Sequence, residues 1–261
     1  MSTALLEVRD LSCRFGGLMA LDGVSFSVAS GEIFGLIGPN GAGKTTLFNL
    51  VSGLTPPSSG SVIWRGAAIT DLPPHRRNRL GLARTFQNLR LFDDLSVLDN
   101  LLVALERHSR SSSIDGLLCT ARHRQAERQR REAAWQLLEE LGLSALADRQ
   151  AGTLAYGDRR RLEMARALGT DPALLLLDEP AAGLNPAEKE GLCALIQELR
   201  QRHRLTVMII EHHVPLLMRL CDRMAVLDFG VRIALGSPNV VRRDPRVIAA
   251  YLGGDASGET P

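Results

Sequence analysis

IFGLIGPNGAGKTTLFNL (33–50) decides the fold. Its first five residues, IFGLI, form a continuous apolar run of strand length, and TTLFNLVSGL (45–54) has helical spacing. Between them lies GPNGAGKT (38–45), a G-x-x-x-x-G-K-T pattern in the strand, loop, helix context that gives it meaning. Gly38, Gly41 and Gly43 allow backbone conformations that let successive N–H groups wrap a phosphate. Pro39, Asn40 and Ala42 complete the loop, with Thr46 next to it in the helix. Lys44 supplies a point charge for β- and γ-phosphates, Thr45 a hydroxyl for Mg²⁺, and the helix N-terminus its positive dipole end. A dinucleotide fingerprint fits less well, because GAGKTT has no third glycine.

Outward from this loop the chain alternates between two patterns. LLEVRDLSCRF (5–15) and LDGVSFSVAS (21–30) alternate apolar and polar residues, as half-buried strands do, and a further strand is read in SVIWRG. LLLLD (174–178) and TVMII (206–210) read as buried strands separated by a helix over 186–201, and AVLDFGVRIALG (225–236) as a hairpin turning at Gly230. From about 90 to 152 the character changes: LSVLDNLLVAL and EAAWQLLEELGL are helical, with the polar SRSSS (109–113) between them. The expectation is one α/β domain over 1–261. Its nucleotide-binding core takes 1–88 and 155–236, a helical subdomain is inserted at 89–154, and a C-terminal extension runs over 237–261 with a short helix at 244–253. The last residues, GDASGETP, read as disordered.

Two further segments carry chemistry. In LLLLDEP (174–180) a buried strand ends in adjacent carboxylates, and strand alternation sends neighbours to opposite faces. Asp178 is therefore assigned to Mg²⁺, together with Thr45, and Glu179 to orienting or deprotonating the attacking water. In TVMIIEHH (206–213) His212 lies just past a buried strand, where groups of parallel sheets gather, and is read as a hydrogen-bond donor to the γ-phosphate. The rival, a metal site from His212 and His213, lacks a third ligand. Gln87, in RTFQNLRLF (84–92), sits at the seam between core and helical insert, where it could touch Mg²⁺ or water.

Bulk properties exclude several classes. A 45% hydrophobic and 23% charged composition is that of a globular protein. A net charge of +2 and a pI near 8.5 demand no nucleic-acid partner. Of 31 basic residues only Lys44 and Lys189 are lysines. ARHRQAERQRRE (121–132) lacks interleaved aromatics and reads as a solvated helix face. Cys13, Cys119, Cys193 and Cys221 show no CxxC spacing, so a reducing compartment is expected. MSTALLEVRD lacks the apolar stretch of a signal peptide, and no apolar run approaches the ~20 residues of a membrane helix.

Taken in order, GPNGAGKTT, Gln87, LAYGD (154–158), LLLLDEP, AAGLN (181–185) and EHH resemble the ATP-binding subunits of ABC transporters, from about Leu5 to Gly253. Phe15 matches the aromatic that stacks on adenine in that family, the alternative being a strand-core residue. RFGGLMALDGVSFSV, ARTFQNLRLF, LDEPAAGLNP and DPRVIAAYLG look most like the subunits serving branched-chain amino-acid uptake. Importers of urea and short amides, or of aromatic acids, share much of this pattern, and a soluble non-transport ABC ATPase is a more distant alternative.

The resemblance implies a P-loop α/β core with an antiparallel β subdomain and a helical subdomain. It also implies an ATPase that binds ATP and Mg²⁺ on the cytoplasmic face of the inner membrane, held there peripherally by transmembrane permease subunits. A second ATPase subunit, identical or paralogous, and indirectly a substrate-binding protein are the other partners; nucleic acid is not one. Each ATP meets the phosphate loop of one subunit and, from the other, the signature Leu154, Ala155, Tyr156, Gly157 and Asp158. Gln87 is implied as a hinge, and Asn185 stands where the family often has aspartate. The signature departs from Leu-Ser-Gly-Gly-Gln: Ala155 lacks a hydroxyl, Tyr156 replaces a glycine, and His213 stands where an acid is usual. Gly157 and the first N–H groups of its helix would face the partner's γ-phosphate. Asp158 would point aside as a first-turn acid, its charge offset by Arg159, Arg160 and Arg161.

Overall fold

The computed structural model describes residues 4–106 and 121–252; SRSSS (109–113), Cys119 and the 254–261 tail lie outside that range. The chain forms two compact units, Met1–Arg84 with Ala173–Pro261, and Thr85–Pro172.

In the first unit, β1 (Ala4–Phe15) and β2 (Leu18–Ala29) pair antiparallel, and β1 also pairs with β4 (Ser59–Trp64), which carries the short β5 (Ala67–Ala68). The inner faces of β1 and β2 bury Leu6, Val8, Leu11, Val24, Phe26 and Val28. A second sheet has the order β10-β9-β3-β8-β7-β6. Its parallel strands are β3 (Ile33–Ile37), β6 (Leu82–Arg84), β7 (Leu174–Asp178), β8 (Thr206–Ile210) and β9 (Arg223–Asp228); β10 (Val231–Gly236) runs antiparallel at the edge. Every residue of β3, β7 and β8 is buried, as expected of strands covered on both faces.

Helix α1 (Lys44–Ser52) packs between the sheets, so that Leu47, Phe48, Leu50 and Val51 join one core with Leu6, Phe34, Leu176 and Met208. Phe26 and Phe34 stack at 5.1 Å within it. The short α2 (Pro74–Arg79) precedes β6. Helix α6 (Pro186–His203) begins with a capping box, Asn185 accepting from Glu188 N and Glu188 from Asn185 N, with Pro186 in its first turn. Helix α7 (Val214–Leu220) links β8 to β9, and the chain closes with α8 (Pro238–Val241) and α9 (Pro245–Leu252).

The second unit is helical: α3 (Val97–Leu105), α4 (Ala121–Glu140) and α5 (Tyr156–Leu168) bury Leu98, Leu101, Leu138, Leu162 and Leu168. Ser96 caps α3 through Asp99 N at 3.0 Å. The division departs from the sequence expectation at both ends of the insert. Residues 85–88 and 155–172 group with the helices, because α5 packs on α3 and its Arg160 and Glu163 are buried against the chain at Phe86 and Gln87. Residues 237–252 group with the core, where α8 packs on β9 and β10. No helix among the described residues is long and apolar enough to cross a membrane.

Candidate functional site

The loop after β3 is shaped by what its glycines exclude. Gly38 has φ 151°, and a Cβ there would lie 2.1 Å from the Leu227 carbonyl oxygen of β9. Gly43 has φ 97°, and its Cβ would lie 2.7 Å from the Ala20 carbonyl oxygen of β2. The loop is thus held between two strands that only hydrogens can approach. Lys44 is buried, and its Nζ donates to the carbonyls of Gly38 at 2.7 Å and Pro39 at 2.8 Å. Burial lowers its pKa, opposed by the negative charge of Glu179. Gly43→Ala should weaken nucleoside triphosphate binding at least about tenfold, from strain of ~1–3 kcal/mol at the loop's last residue. Calorimetric titration checks this; Gly41→Ala, whose Cβ meets nothing within 4 Å, should cost less.

Glu179 follows β7 in a left-handed conformation, φ 49°, unusual for a side-chain-bearing residue. Its N–H donates to Ile210 O, tying it to the end of β8, and its Oε1 lies 2.8 Å from His212 Nε2. Asp178, the last residue of β7, is buried, and its Oδ2 accepts from Arg84 Nη2 at 2.8 Å. Adjacent carboxylates therefore do face different surroundings, one an arginine and one an imidazole.

A pocket of about 380 Å³ opens over Glu179 and His212, and Asp178 does not line it. It is lined by Phe15, Leu18, Met19, Ala20 and Phe229 together with Asn40 to Thr46, Glu179 and His212. Phe15 is 50% exposed, which rules out its reading as a strand-core residue. His212 and His213 face different surroundings: His213 lines a second pocket with Lys189, Cys193 and Arg219. Among the described residues no cluster of three or more His, Cys, Asp or Glu side chains could hold a metal ion. The Thr45 hydroxyl and the Asp178 carboxylate are hard oxygen donors, a set that suits Mg²⁺ retaining most of its waters.

The remaining predicted residues belong to the second unit. Gln87 is exposed, and its carbonyl accepts from Arg160 Nη2 at 2.9 Å. Ala155 is the N-cap of α5, without a side-chain cap bond; Leu154 is buried, Tyr156 is 44% exposed and Gly157 is half-buried. Asp158 is hydrogen-bonded to Arg161 on its own helix. Arg160 pairs with Glu163 rather than with Asp158. Its guanidinium is buried, donates to Tyr156 Oη at 2.7 Å and to Phe86 O and Gln87 O at 2.9 Å, and lies 5.2 Å from the Tyr156 ring centroid. The tyrosine that replaces a signature glycine thus holds an arginine, and that arginine holds the Gln87 segment.

Sequence reasoning missed two residues of the first unit. Arg84 bridges Asp178 to Asn49 Oδ1 (2.8 Å) and Ser52 Oγ (2.9 Å) on α1, joining the phosphate-loop helix to the carboxylate strand. Glu211, buried, accepts from Ala181 N at 2.6 Å and His212 N at 3.1 Å, which ties the start of the AAGLN turn to the backbone of His212. Burial raises its pKa, opposed by those N–H donors. A charged residue at the end of an apolar strand is the only signal that could have singled out either.

Comparison with known proteins extends these observations. Residues 21–182 match the family model described as ABC transporter, and 231–257 match that described as branched-chain amino acid ATP-binding cassette transporter. The high-affinity branched-chain amino acid transport ATP-binding protein BraF of Pseudomonas aeruginosa is 48% identical over 97% of this chain and 99% of its own length. LivG of Escherichia coli, of the same description, is 46% identical over the same shares. The lipopolysaccharide export system ATP-binding protein LptB of Acidithiobacillus ferridurans is 39% identical over 95% of this chain and 97% of its own. Among solved structures, the ADP conformation of an ATP-binding cassette of an ABC transporter superposes with a TM-score of 0.82 at 33% identity, covering 97% of this chain and 100% of that one.

Proposed function

We propose that this chain, which belongs to the ABC transporter family of ATP-binding proteins, binds and hydrolyses ATP to drive a membrane importer of branched-chain amino acids. The observation that carries the ATPase reading is the convergence of the phosphate loop, Glu179, His212 and Phe15 on one pocket. The loop N–H groups and Lys44 hold the phosphates, Lys44 exchanging the Gly38 and Pro39 carbonyls for phosphate oxygens. Thr45 and Asp178 would hold Mg²⁺, which when bound would supply charge neutralisation for the phosphates. Glu179 takes a proton from the attacking water, and His212 fixes its carboxylate while reaching the γ-phosphate. Leu154 to Asp158 complete the site of a second ATPase subunit, identical or paralogous.

The resemblance to BraF and LivG and the match over 231–257 favour branched-chain amino acids over the export role that LptB's name states. In this reading the chain sits at the cytoplasmic face and reaches the membrane through permease subunits. The test is the assembled complex with its permeases, second ATPase and binding protein, assayed for ATP turnover with each solute. Leucine, isoleucine or valine should stimulate turnover severalfold. Stimulation by urea, short amides or aromatic acids instead would reassign the solute.

A further inference from the structure

The turn between β9 and β10 carries a residue that folding does not explain. Phe229 has φ 42°, where L side chains are strained and where glycine, asparagine or aspartate is the usual occupant of a hairpin turn. Its side chain is also 88% exposed, more than any other large hydrophobic residue among those described. A phenyl ring in water at a strained backbone position gives the fold neither burial nor relief. Yet the turn is not loose. Gly230 N donates to Ala42 O of the phosphate loop, Gly230 O accepts from Asp22 N at 2.9 Å, and a Cβ at Gly230 would lie 2.8 Å from the Ala20 carbonyl oxygen. The hairpin is fastened on one side to the loop and on the other to β2. The pocket that Phe229 lines is the nucleotide pocket, and its other large apolar residues are Phe15, Leu18 and Met19.

We propose that Phe229 is a second aromatic contact for the base of the bound nucleotide, and that it favours purine over pyrimidine nucleoside triphosphates. The inference rests on the nucleotide-binding reading of this pocket. With the phosphates on the loop, the base extends toward the apolar residues of the pocket. There a ring at a fixed turn offers a flat π-surface whose contact grows with the area of the base. Backbone strain at a pinned position is then part of the site, since it holds the ring in place before the ligand arrives.

The experiment is calorimetric titration of the full chain with Mg²⁺–ATP, Mg²⁺–CTP and inorganic tripolyphosphate. Phe229→Ala should weaken ATP about tenfold, weaken CTP less, and leave tripolyphosphate within about twofold; Phe229→Tyr should restore the ATP affinity. Equal weakening of ATP and tripolyphosphate would overturn the proposal, because the side chain would then only shape the loop. Unchanged ATP affinity in Phe229→Ala would also overturn it, as would an effect confined to ATP-dependent self-association. A wild-type chain that binds tripolyphosphate and no ATP or CTP would refute the base contact, whereas one that binds none of the three would refute the nucleotide reading itself.

Discussion

Glutamine in place of Glu179 should leave ATP bound with near-native affinity and lower its turnover by roughly 10²–10⁴-fold. The amide preserves the volume of the side chain and can still hydrogen-bond the His212 imidazole, which lies 2.8 Å from Oε1. What it cannot do is accept a proton from water. The phosphate-binding groups are set by β3, the loop and α1, and Lys44 is held by loop carbonyls, so ligand binding has no need of the carboxylate. Removing its negative charge also removes the one nearby influence that raises the Lys44 pKa. Phosphate release and calorimetric affinity, measured together, separate the two effects. Turnover within tenfold of wild type would show that Glu179 is not the base. His212→Ala should be milder, because the half-exposed imidazole acts by orienting Glu179 and its loss leaves the backbone of Glu179 anchored through its N–H to Ile210 O.

The β strands that frame this site were legible in the sequence for a physical reason. β7 and β8 are covered on both faces, so their boundaries coincide with the apolar runs LLLLD and TVMII. The phosphate loop was legible because its glycines and Lys44 occupy fixed offsets that the strand and helix on either side frame. β6 escaped notice: three residues, LAR, are too short to show a period, and it forms only because β7 offers it a parallel partner. The arginines were misread or missed for a different reason. Read locally, RRR (159–161) is a charged helix face, but the partners that bury Arg160 include Phe86 and Gln87, more than seventy residues earlier. The same holds for Arg84, whose carboxylate partner is 94 residues away. Charge in a sequence records that a side chain can be solvated, and only the tertiary structure records that it is instead hydrogen-bonded in the interior.

Arg77 is the extreme case, and its removal should cost the most stability. The residue is 1% exposed in the first unit, and its guanidinium donates to four backbone carbonyls. Nη1 reaches Leu50 O at 2.6 Å and Val51 O at 2.8 Å, Nη2 reaches Thr70 O at 2.5 Å, and Nε reaches Leu72 O at 2.8 Å. Leu50 and Val51 lie in the last turn of α1, where the dipole is negative and the only other donor to Leu50 O among the described residues is the C-cap Gly53 N–H at 3.2 Å, so Arg77 caps that helix from another part of the chain. Desolvation pulls its pKa below the ordinary arginine range to about 10, with the negative charge of Asp71 opposing. The side chain is therefore charged at neutral pH. Because the folded pKa is the lower one, the buried charge itself costs stability below about pH 10, and the four hydrogen bonds offset that cost.

Arg77→Ala removes the donors and leaves the carbonyls buried beside a cavity, which should destabilise the chain by about 3–5 kcal/mol. For a chain of this size each kcal/mol moves the melting temperature by roughly 2–4 °C, so the midpoint should fall by on the order of 10 °C. Arg77→Lys keeps the charge but cannot fork to four carbonyls and should lie between the two. Urea denaturation without nucleotide is the measurement, since bound ATP would stabilise all variants by mass action and mask the difference. An alanine variant within about 1 kcal/mol of wild type would show that water replaces the guanidinium at little cost. The expected loss has a functional consequence as well. α1 begins at Lys44 and ends at the carbonyls that Arg77 holds, so a frayed C-terminal turn loosens the same helix whose N-terminus carries the phosphates.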